Sequence, residues 1–204
     1  MDRQLIISIS REFGSGGHVI ATAIADRLNL KLYDHNLLDH IADEMEVDGS
    51  QLKKYDEKPR IHLTSRRVEG MSSSPEEHVA QMQFEYIRKK AEEGESFVLV
   101  GRCGESVLKD NENLISLFIL GDEKSKVQRV MERFDLDERE ARLKIRRHDI
   151  YRKRYHNSYS QYRWGDSRGY DLCINSTRLG VEATTEEILS YIVRRREDQA
   201  CKLA

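Results

Sequence analysis

The chain has 204 residues, enough for one domain with a sizeable hydrophobic core. Its 34 basic and 36 acidic residues give a formal net charge of −2, so composition gives no general reason to expect a nucleic-acid polymer or an anionic membrane as partner. No apolar run reaches the length of a membrane span, and the N-terminus has no signal-peptide core. The three cysteines are far apart and form no CxxC pair. We therefore expect a cytoplasmic protein with reduced thiols and no metal ligands.

The first predicted element is a strand that turns through glycines into a helix. Residues 5–9 (LIISI) form an apolar run rich in β-branched side chains, which is typical of a buried strand. After the glycine-rich residues 14–17 (GSGG), Ile20, Ile24 and Leu28 recur every fourth position, which predicts a helix. Such a turn aims several backbone N–H groups at one point, and the helix N-terminus adds partial positive charge there. The unit is therefore suited to bind phosphate.

The match to the standard phosphate-loop pattern G-x-x-x-x-G-K-[ST] is incomplete. Aligned on Gly16, the chain has Arg11 in place of the first glycine, Gly17 in place of the lysine and His18 in place of the magnesium-binding hydroxyl residue. From this stretch alone, a tight strand-to-helix connection that needs glycine only for positive φ remains an equal alternative.

The middle of the chain is less regular. Residues 30–34 (LKLYD) predict a second short strand, and Asn36 is suited to cap a helix over residues 37–44. Residues 47–75 are polar and contain both prolines, which indicates a mobile, partly helical insertion. Residues 75–93 predict a further helix, because proline and two acids stand in its first turn and an apolar face follows.

Strand and helix patterns alternate in the second half. The predicted strands are residues 96–100, 114–120 and 170–175, and the predicted helices begin at residues 122, 137 and 184. Five strands separated by helices predict a three-layer α/β fold with a five-stranded parallel sheet. In such folds ligands gather at the carboxyl ends of the strands, where Arg11, Asp34 and Arg102 are all expected. This convergence favours phosphate binding over a plain turn.

Residues 142–154 (RLKIRRHDIYRKR) concentrate positive charge in a near-neutral chain. Helical spacing predicts that Arg142, Arg146, Asp149 and Lys153 share one face, with Arg152 one turn from Asp149. A solvated helix face and a nucleic-acid patch are both possible explanations. The third is a clamp on a transferring phosphoryl group, because guanidinium groups match phosphate oxygens.

Taken together, the segments resemble the cytidylate kinase-like family, a branch of the nucleoside monophosphate kinases among the P-loop NTPases. The matching segments are ISREFGSGG, LYDHNLLDHIA, LVGRCGE, the basic stretch 142–155 and WxDxxxYDLCINST, in family order. The resemblance implies a P-loop kinase core of residues 1–34, 95–141 and 164–204, a monophosphate-binding insertion at residues 35–94 and a lid at residues 142–163. It also implies ATP as co-substrate, Mg²⁺ as cofactor, and CMP or dCMP as acceptor.

The resemblance further implies roles for individual residues. On the ATP side it places Gly14, Ser15, Gly16, Gly17 and His18. On the acceptor side it places Asp34, His35, Arg102 and Asp149, with Arg102 holding the acceptor phosphate and Asp149 facing the cytosine. Arg152 would face phosphate, and Arg146, Arg152 and Arg11 are the expected catalytic residues. Because the loop lysine is missing, an arginine must replace its charge or transfer is weak, and Arg11 and Arg146 are the nearest candidates.

The predicted function is therefore ATP-dependent phosphorylation of CMP or dCMP by a monomer or homodimer. The attacking phosphate oxygen is already ionised at neutral pH, so no general base is required. Two alternatives stay open. One is a kinase of the same fold that acts on another small acceptor, and the other is a nucleotide-binding regulatory module that has lost catalysis with its lysine.

Overall fold

A computed structural model of the chain describes residues 4–45, 54, 56, 67–68, 71–72 and 74–201. Most of the segment 47–75, for which the sequence predicts a mobile insertion, lies outside these residues. No helix within the described part is long and apolar enough to cross a membrane.

A five-stranded sheet forms the centre of the fold, and the predicted parallel arrangement is confirmed. The strands are β1 (Ile6–Arg11), β2 (Lys31–Tyr33), β3 (Arg67–Val68), β4 (Met71–Ser72), β5 (Phe97–Val100), β6 (Leu114–Leu120) and β7 (Leu172–Asn175). The main sheet has the order β2-β5-β1-β6-β7, and each neighbouring pair in it is parallel. Strands β3 and β4 form a separate antiparallel pair. The central strand β1 is buried, which explains its continuous apolar sequence.

Seven helices surround the sheet in the described part of the chain. They are α1 (Gly17–Leu28), α2 (Leu37–Met45), α3 (Pro75–Glu92), α4 (Gly104–Val107), α5 (Glu123–Phe134), α6 (Glu138–Tyr159) and α7 (Ser176–Cys201). Helix α7 is interrupted at Gly180, where φ is 80° and ψ is 169°. Helix α6 begins with a capping box, in which Asp137 and Glu140 each accept the other's backbone N–H.

The helices cover both faces of the sheet and make three layers. Ile7 of β1 packs with Ile24 of α1 and Ile188 of α7 in one core cluster. Ile6, the next residue along β1, faces the other way and packs with Ile87 of α3. The alternation follows from the two-residue period of a strand. Helices α5 and α6 pack against each other beside these layers.

Strand β1 differs from its predicted bounds. It extends to Arg11 rather than ending at residue 9, because β6 continues to pair with it up to Ile119. Asn36 stands directly before α2, as predicted, and its backbone carbonyl accepts the N–H groups of Asp39 and His40. The helix predicted from residue 184 lies in the part of α7 that follows the break at Gly180.

Candidate active site

The glycine-rich turn forms a compact loop at the start of α1. Gly14 and Gly16 have φ values of 81° and 84°, which non-glycine residues rarely adopt. The buried hydroxyl of Ser15 donates to the Glu12 carbonyl at 2.9 Å and accepts the Gly17 N–H at 3.3 Å. The loop therefore ends directly at a helix N-terminus, the arrangement that binds phosphate.

Two cations from α5 hold this loop in place. Arg129 donates to the carbonyl oxygens of Gly14 and Ser15, at 3.3 and 3.1 Å. Lys126 is nearly buried, and its ammonium group lies 2.8 Å from the Glu12 carboxylate. The loop carbonyls thus have cationic partners, and α5 adds positive charge beside the loop.

Arg11 and Gly17, two of the three departures from the standard loop, are packed against each other. A Cβ atom built on Gly17 would lie 2.6 Å from Cβ of Arg11 and 3.3 Å from Cβ of Ile119. Such a short distance to a Cβ atom cannot be relieved by rotating a side chain. A lysine at position 17 therefore requires glycine at position 11 or a shift of the loop backbone. In this chain Arg11 is the member of the pair that carries a positive charge.

Two cavities meet at the carboxyl ends of β1 and β5. The first, of about 380 Å³, lies over the phosphate loop and is lined by four arginines: Arg11, Arg129, Arg133 and Arg152. The second, of about 20 Å³, is lined by Arg11, Arg102 and Arg152 together with Tyr155, His156 and Trp164. Arg11 and Arg152 line both. A larger cavity of about 570 Å³ lies beside the start of β6, and the described residues that line it include none of the loop.

Arg102 follows β5 and is buried beneath the second cavity. It has a positive φ of 54°, a strained conformation that is concentrated at functional sites. Its guanidinium group donates to Asp56 at 2.6 Å and to the Val100 carbonyl at 3.2 Å, and its side chain is only 2% exposed. Gln83 donates to the other Asp56 oxygen at 2.9 Å. The Asp56 carboxylate thus binds the Arg102 guanidinium group, which the sequence predicts to bind the acceptor phosphate.

Helix α6 contacts the phosphate loop through Asp149 and its neighbours. The Asp149 carboxylate accepts the Phe13 N–H at 2.7 Å. The Phe13 ring stacks on His148 with a centroid distance of 4.1 Å, and the Arg152 guanidinium lies 5.5 Å from the Phe13 centroid. Arg152 also donates to the Arg11 carbonyl at 3.3 Å. In this structure Asp149 therefore faces the loop, and its predicted contact with cytosine stays a prediction.

Arg142, Arg146, Asp149 and Lys153 lie on one side of the continuous helix α6, as their spacing predicts. Arg142, Arg146 and Lys153 are exposed, whereas Ile145 packs against α5 and Asp149 contacts the loop. Asp149 therefore lies where this exposed face borders the face that packs on α5 and the loop. Arg146 is absent from the described lining of both cavities. Its predicted catalytic role stays a prediction that this arrangement does not favour.

The environment of Asp149 predicts a pH-dependent stability difference. Burial raises the pKa of Asp149, and the Phe13 N–H and the charges of Lys126 and Arg152 only partly offset this. The folded protein therefore keeps the carboxyl proton of Asp149 to a higher pH than the unfolded chain does. As pH rises above the ordinary pKa of about 3.9, ionisation of Asp149 lowers the free energy of unfolding.

Asp149→Asn removes this loss of stability and keeps an oxygen that accepts the Phe13 N–H. We expect the Tm of Asp149→Asn to exceed that of the wild type at about pH 7, and the difference to shrink towards about pH 3. A difference in Tm that is constant across this range would contradict the assignment.

Asp34 connects the end of β2 with the start of α1. One oxygen of its buried carboxylate lies 2.7 Å from Nε2 of His18 and 2.8 Å from Nδ1 of His35. Burial opposes ionisation, but the hydrogen bonds from His18 and from the Asn36 N–H, with the nearby His35, outweigh it and lower the pKa of Asp34. His18 and His35 both line the larger of the two cavities. The structure therefore brings His35 next to the phosphate loop.

Sequence reasoning missed several residues of this site. Arg129 and Arg133 carried a usable signal, since with Lys126 they recur at helical spacing on a predicted helix. Phe13 carried none, because its position between α5 and α6 depends on tertiary packing. Asp56 lies in a polar segment without periodicity, so nothing local marks it as the partner of Arg102.

Comparison with known proteins identifies a family and a fold for the chain. The cytidylate kinase-like family matches residues 6–178 of the chain. The crystal structure of an uncharacterized protein from Eubacterium ventriosum ATCC 27560 is 43% identical, with a TM-score of 0.73 over 93% of this chain and 98% of that one. No curated protein matches the chain in sequence.

Two kinases share the fold at low sequence identity. A gluconokinase from Sinorhizobium meliloti 1021 is 12% identical, with a TM-score of 0.56 over 98% of this chain and 99% of that one. Shikimate kinase from Bacteroides thetaiotaomicron is also 12% identical, with a TM-score of 0.53 over 92% and 98% of the two chains. At this identity the likeness concerns the fold alone, which is that of the P-loop kinases. Since the family match spans most of the sequence, from the start of β1 to the start of α7, the chain belongs to the cytidylate kinase-like family.

Proposed function

We propose that the protein transfers the γ-phosphoryl group of ATP to the phosphate of CMP or dCMP, forming ADP and the nucleoside diphosphate. Membership of a kinase-like family and the P-loop kinase fold support a small-molecule phosphotransferase. The observation that carries the proposal is the position of Arg11 and Arg152, which line both the cavity over the phosphate loop and the cavity beside Arg102. Guanidinium groups at that junction are suited to a phosphoryl group that passes from one side to the other.

The larger cavity is suited to the triphosphate of ATP. Its volume of about 380 Å³ lies in the usual range for small-molecule sites. The backbone N–H groups at the start of α1 and the arginines of the lining would bind phosphate oxygens. Catalysis would come from positioning and from neutralising charge during an in-line transfer, since phosphoryl transfer needs little covalent chemistry from the protein.

The residues at the loop do not fit a protein-held Mg²⁺. This ion prefers oxygen ligands in octahedral geometry, and a phosphate loop usually supplies a hydroxyl. Here position 18 is an imidazole, and the Asp34 carboxylate is already hydrogen-bonded to two imidazoles. We therefore propose that Mg²⁺ enters with the nucleotide phosphates, and we assign it no protein ligand.

Among the described residues, the cavity beside Arg102 has a volume of about 20 Å³, which is too small for a nucleotide. The Asp56 carboxylate on Arg102 marks a position that binds an anion. We propose that the acceptor phosphate takes this position after the Arg102–Asp56 ion pair opens.

Replacing Arg102 tests that assignment. Arg102→Lys keeps the charge but loses the planar fork that binds phosphate in a bidentate manner. We expect the KM for the acceptor to rise about tenfold and the KM for ATP to stay within about twofold, because the fork serves one ligand. Steady-state kinetics with each substrate varied in turn gives both values. An equal rise in the two KM values would show that Arg102 supports the fold rather than the acceptor.

The buried pair of His156 and Glu105 favours a second candidate, a kinase with a hydroxylated acceptor. Nε2 of His156 lies 2.8 Å from the Glu105 carboxylate, both side chains are at most 5% exposed, and His156 lines the acceptor-side cavity. A hydroxyl acceptor needs a general base, and a histidine oriented by a carboxylate is a common one. A nucleotide phosphate needs none.

ADP formation against a panel of acceptors tests the proposal and separates the two candidates. The panel contains CMP, dCMP, UMP, AMP and small hydroxylated acids and sugars. We expect ADP to form fastest with CMP or dCMP. Turnover confined to a hydroxylated acceptor would favour the second candidate, and tight ATP binding without any turnover would indicate a regulatory module.

A further inference from the structure

His18, Asp34 and His35 bring three metal-binding side chains together beside the phosphate loop. Their donor atoms, two imidazole nitrogens and a carboxylate oxygen, all lie within 4.8 Å of one another. His18 belongs to the first turn of α1, and Asp34 and His35 directly follow β2. Two elements of the core therefore position the cluster, which makes it better defined than a chance group of surface residues.

The Asp34 carboxylate is held in one orientation by its neighbours. Its second oxygen accepts the Asn36 N–H at 3.0 Å, and the Asn36 side chain accepts the Asp34 N–H at 3.1 Å. Hydrogen bonds of this kind orient carboxylate ligands in metal sites. The two imidazoles remain reachable from solvent, since the side chains of His18 and His35 are 45% and 82% exposed. An ion therefore has access to a fixed carboxylate through two side chains that can rotate.

Two imidazole nitrogens and one carboxylate oxygen do not favour Mg²⁺, the ion that phosphate loops usually bind with their nucleotide. Mg²⁺ prefers oxygen ligands, whereas imidazole suits Zn²⁺ and the neighbouring first-row divalent ions. Metal–nitrogen and metal–oxygen bonds of about 2.0–2.2 Å can join donor atoms this close after small side-chain rotations. Two histidines and one carboxylate leave coordination positions free for other ligands.

We propose that His18, Asp34 and His35 bind a divalent transition-metal ion such as Zn²⁺ or Co²⁺, with its free coordination positions directed to the cavity over the phosphate loop. Both histidines line that cavity together with Gly16 and Gly17. The ion would place positive charge beside position 17, where a standard loop has its lysine. The ion would thus bind phosphate oxygens and add to the positive charge that Arg11 supplies. The site needs no particular acceptor and does not depend on the proposed transfer reaction.

Titration of the full chain with Co²⁺, after chelator treatment and without nucleotide, tests this site. The visible absorption of Co²⁺ shifts and strengthens when imidazole replaces water in its coordination sphere, so it distinguishes bound from aqueous Co²⁺. We expect saturation at about one ion per chain and no displacement by a large excess of Mg²⁺, since the ligands are mainly imidazoles. His18→Ala and His35→Ala should each weaken Co²⁺ binding about 100-fold or more, because loss of a ligand costs at least as much as loss of an outer partner.

His78→Ala is the matched control, since His78 is an exposed histidine on α3 outside the cluster. It should bind Co²⁺ as the wild type does. Asp34→Asn should weaken binding as well, and circular dichroism of each variant separates loss of ligand from loss of fold. Wild-type protein that gives only the spectrum of aqueous Co²⁺, or equal affinity in wild type, His18→Ala and His35→Ala, would overturn the proposal. Because nucleotide is absent, a lack of phosphotransfer activity would leave this result unaffected.

Discussion

Arg152→Ala is expected to lower kcat about 100-fold, the scale of a preorganised charge that acts on a developing transition state. Arg152 lines both cavities and donates to the Arg11 carbonyl, so its guanidinium is placed where the phosphoryl group would pass. Binding of either nucleotide alone should change by no more than about threefold, because the charge is redistributed only during transfer. Single-turnover and steady-state kinetics with ATP and CMP, together with calorimetric Kd values, measure both effects.

Arg147→Ala is the matched control for that variant. Arg147 is an exposed arginine on the same helix, and exposed helix charges contribute little. It should keep kcat within about twofold of wild type. Arg146→Ala tests whether Arg146 is catalytic, as the sequence predicts. Because Arg146 is exposed, we expect the kcat of Arg146→Ala to match that of Arg147→Ala. Full activity of Arg152→Ala, or an equal loss in Arg152→Ala and Arg147→Ala, would remove Arg152 from the mechanism.

Gly17→Lys, which restores the standard loop lysine, is expected to damage the protein rather than improve it. Its Cβ would lie 2.6 Å from Cβ of Arg11, so the loop must shift. Overpacking of this kind costs about 1–3 kcal/mol, and the shifted loop should bind ATP at least about tenfold more weakly. Thermal unfolding and calorimetric ATP titration measure the two effects.

The double variant Arg11→Gly/Gly17→Lys tests whether the two positions are coupled. Arg11→Gly removes the Cβ atom against which the new side chain would clash. We therefore expect the double variant to recover most of the Tm and ATP affinity that Gly17→Lys loses, whereas Arg11→Gly alone loses ATP affinity with its charge. Additive losses in a double-mutant cycle would show that Arg11 and Gly17 act independently.

The sequence predicted the parts of the fold that follow from local pattern. Residues 114–120 were predicted as a strand with the bounds that the structure shows, because an unbroken apolar run between polar turns permits little else. The glycines at positions 14 and 16 marked a loop whose conformation requires positive φ. Parallel strands place their carboxyl ends at one edge, so the convergence of Arg11, Asp34 and Arg102 followed from topology.

The remaining features depend on contacts between distant segments. The inward face of α6 is set by docking on Phe13 and α5, and periodicity alone does not show which residues of the helix it contains. The Arg102–Asp56 ion pair joins residues 46 positions apart, and no local signal links them. The packing of Gly17 against Arg11 is likewise visible only in three dimensions, although the sequence showed that both positions depart from the standard loop.

Transfer of radiolabel from [γ-³²P]ATP to CMP in a single turnover tests the central claim most directly. Enzyme in excess over labelled ATP is mixed with CMP, and the nucleotides are separated by chromatography. Our account predicts that the label appears in CDP and that Arg152→Ala slows its appearance about 100-fold. Label that remains in ATP, or that appears only as inorganic phosphate, while wild-type protein binds both nucleotides, would contradict it.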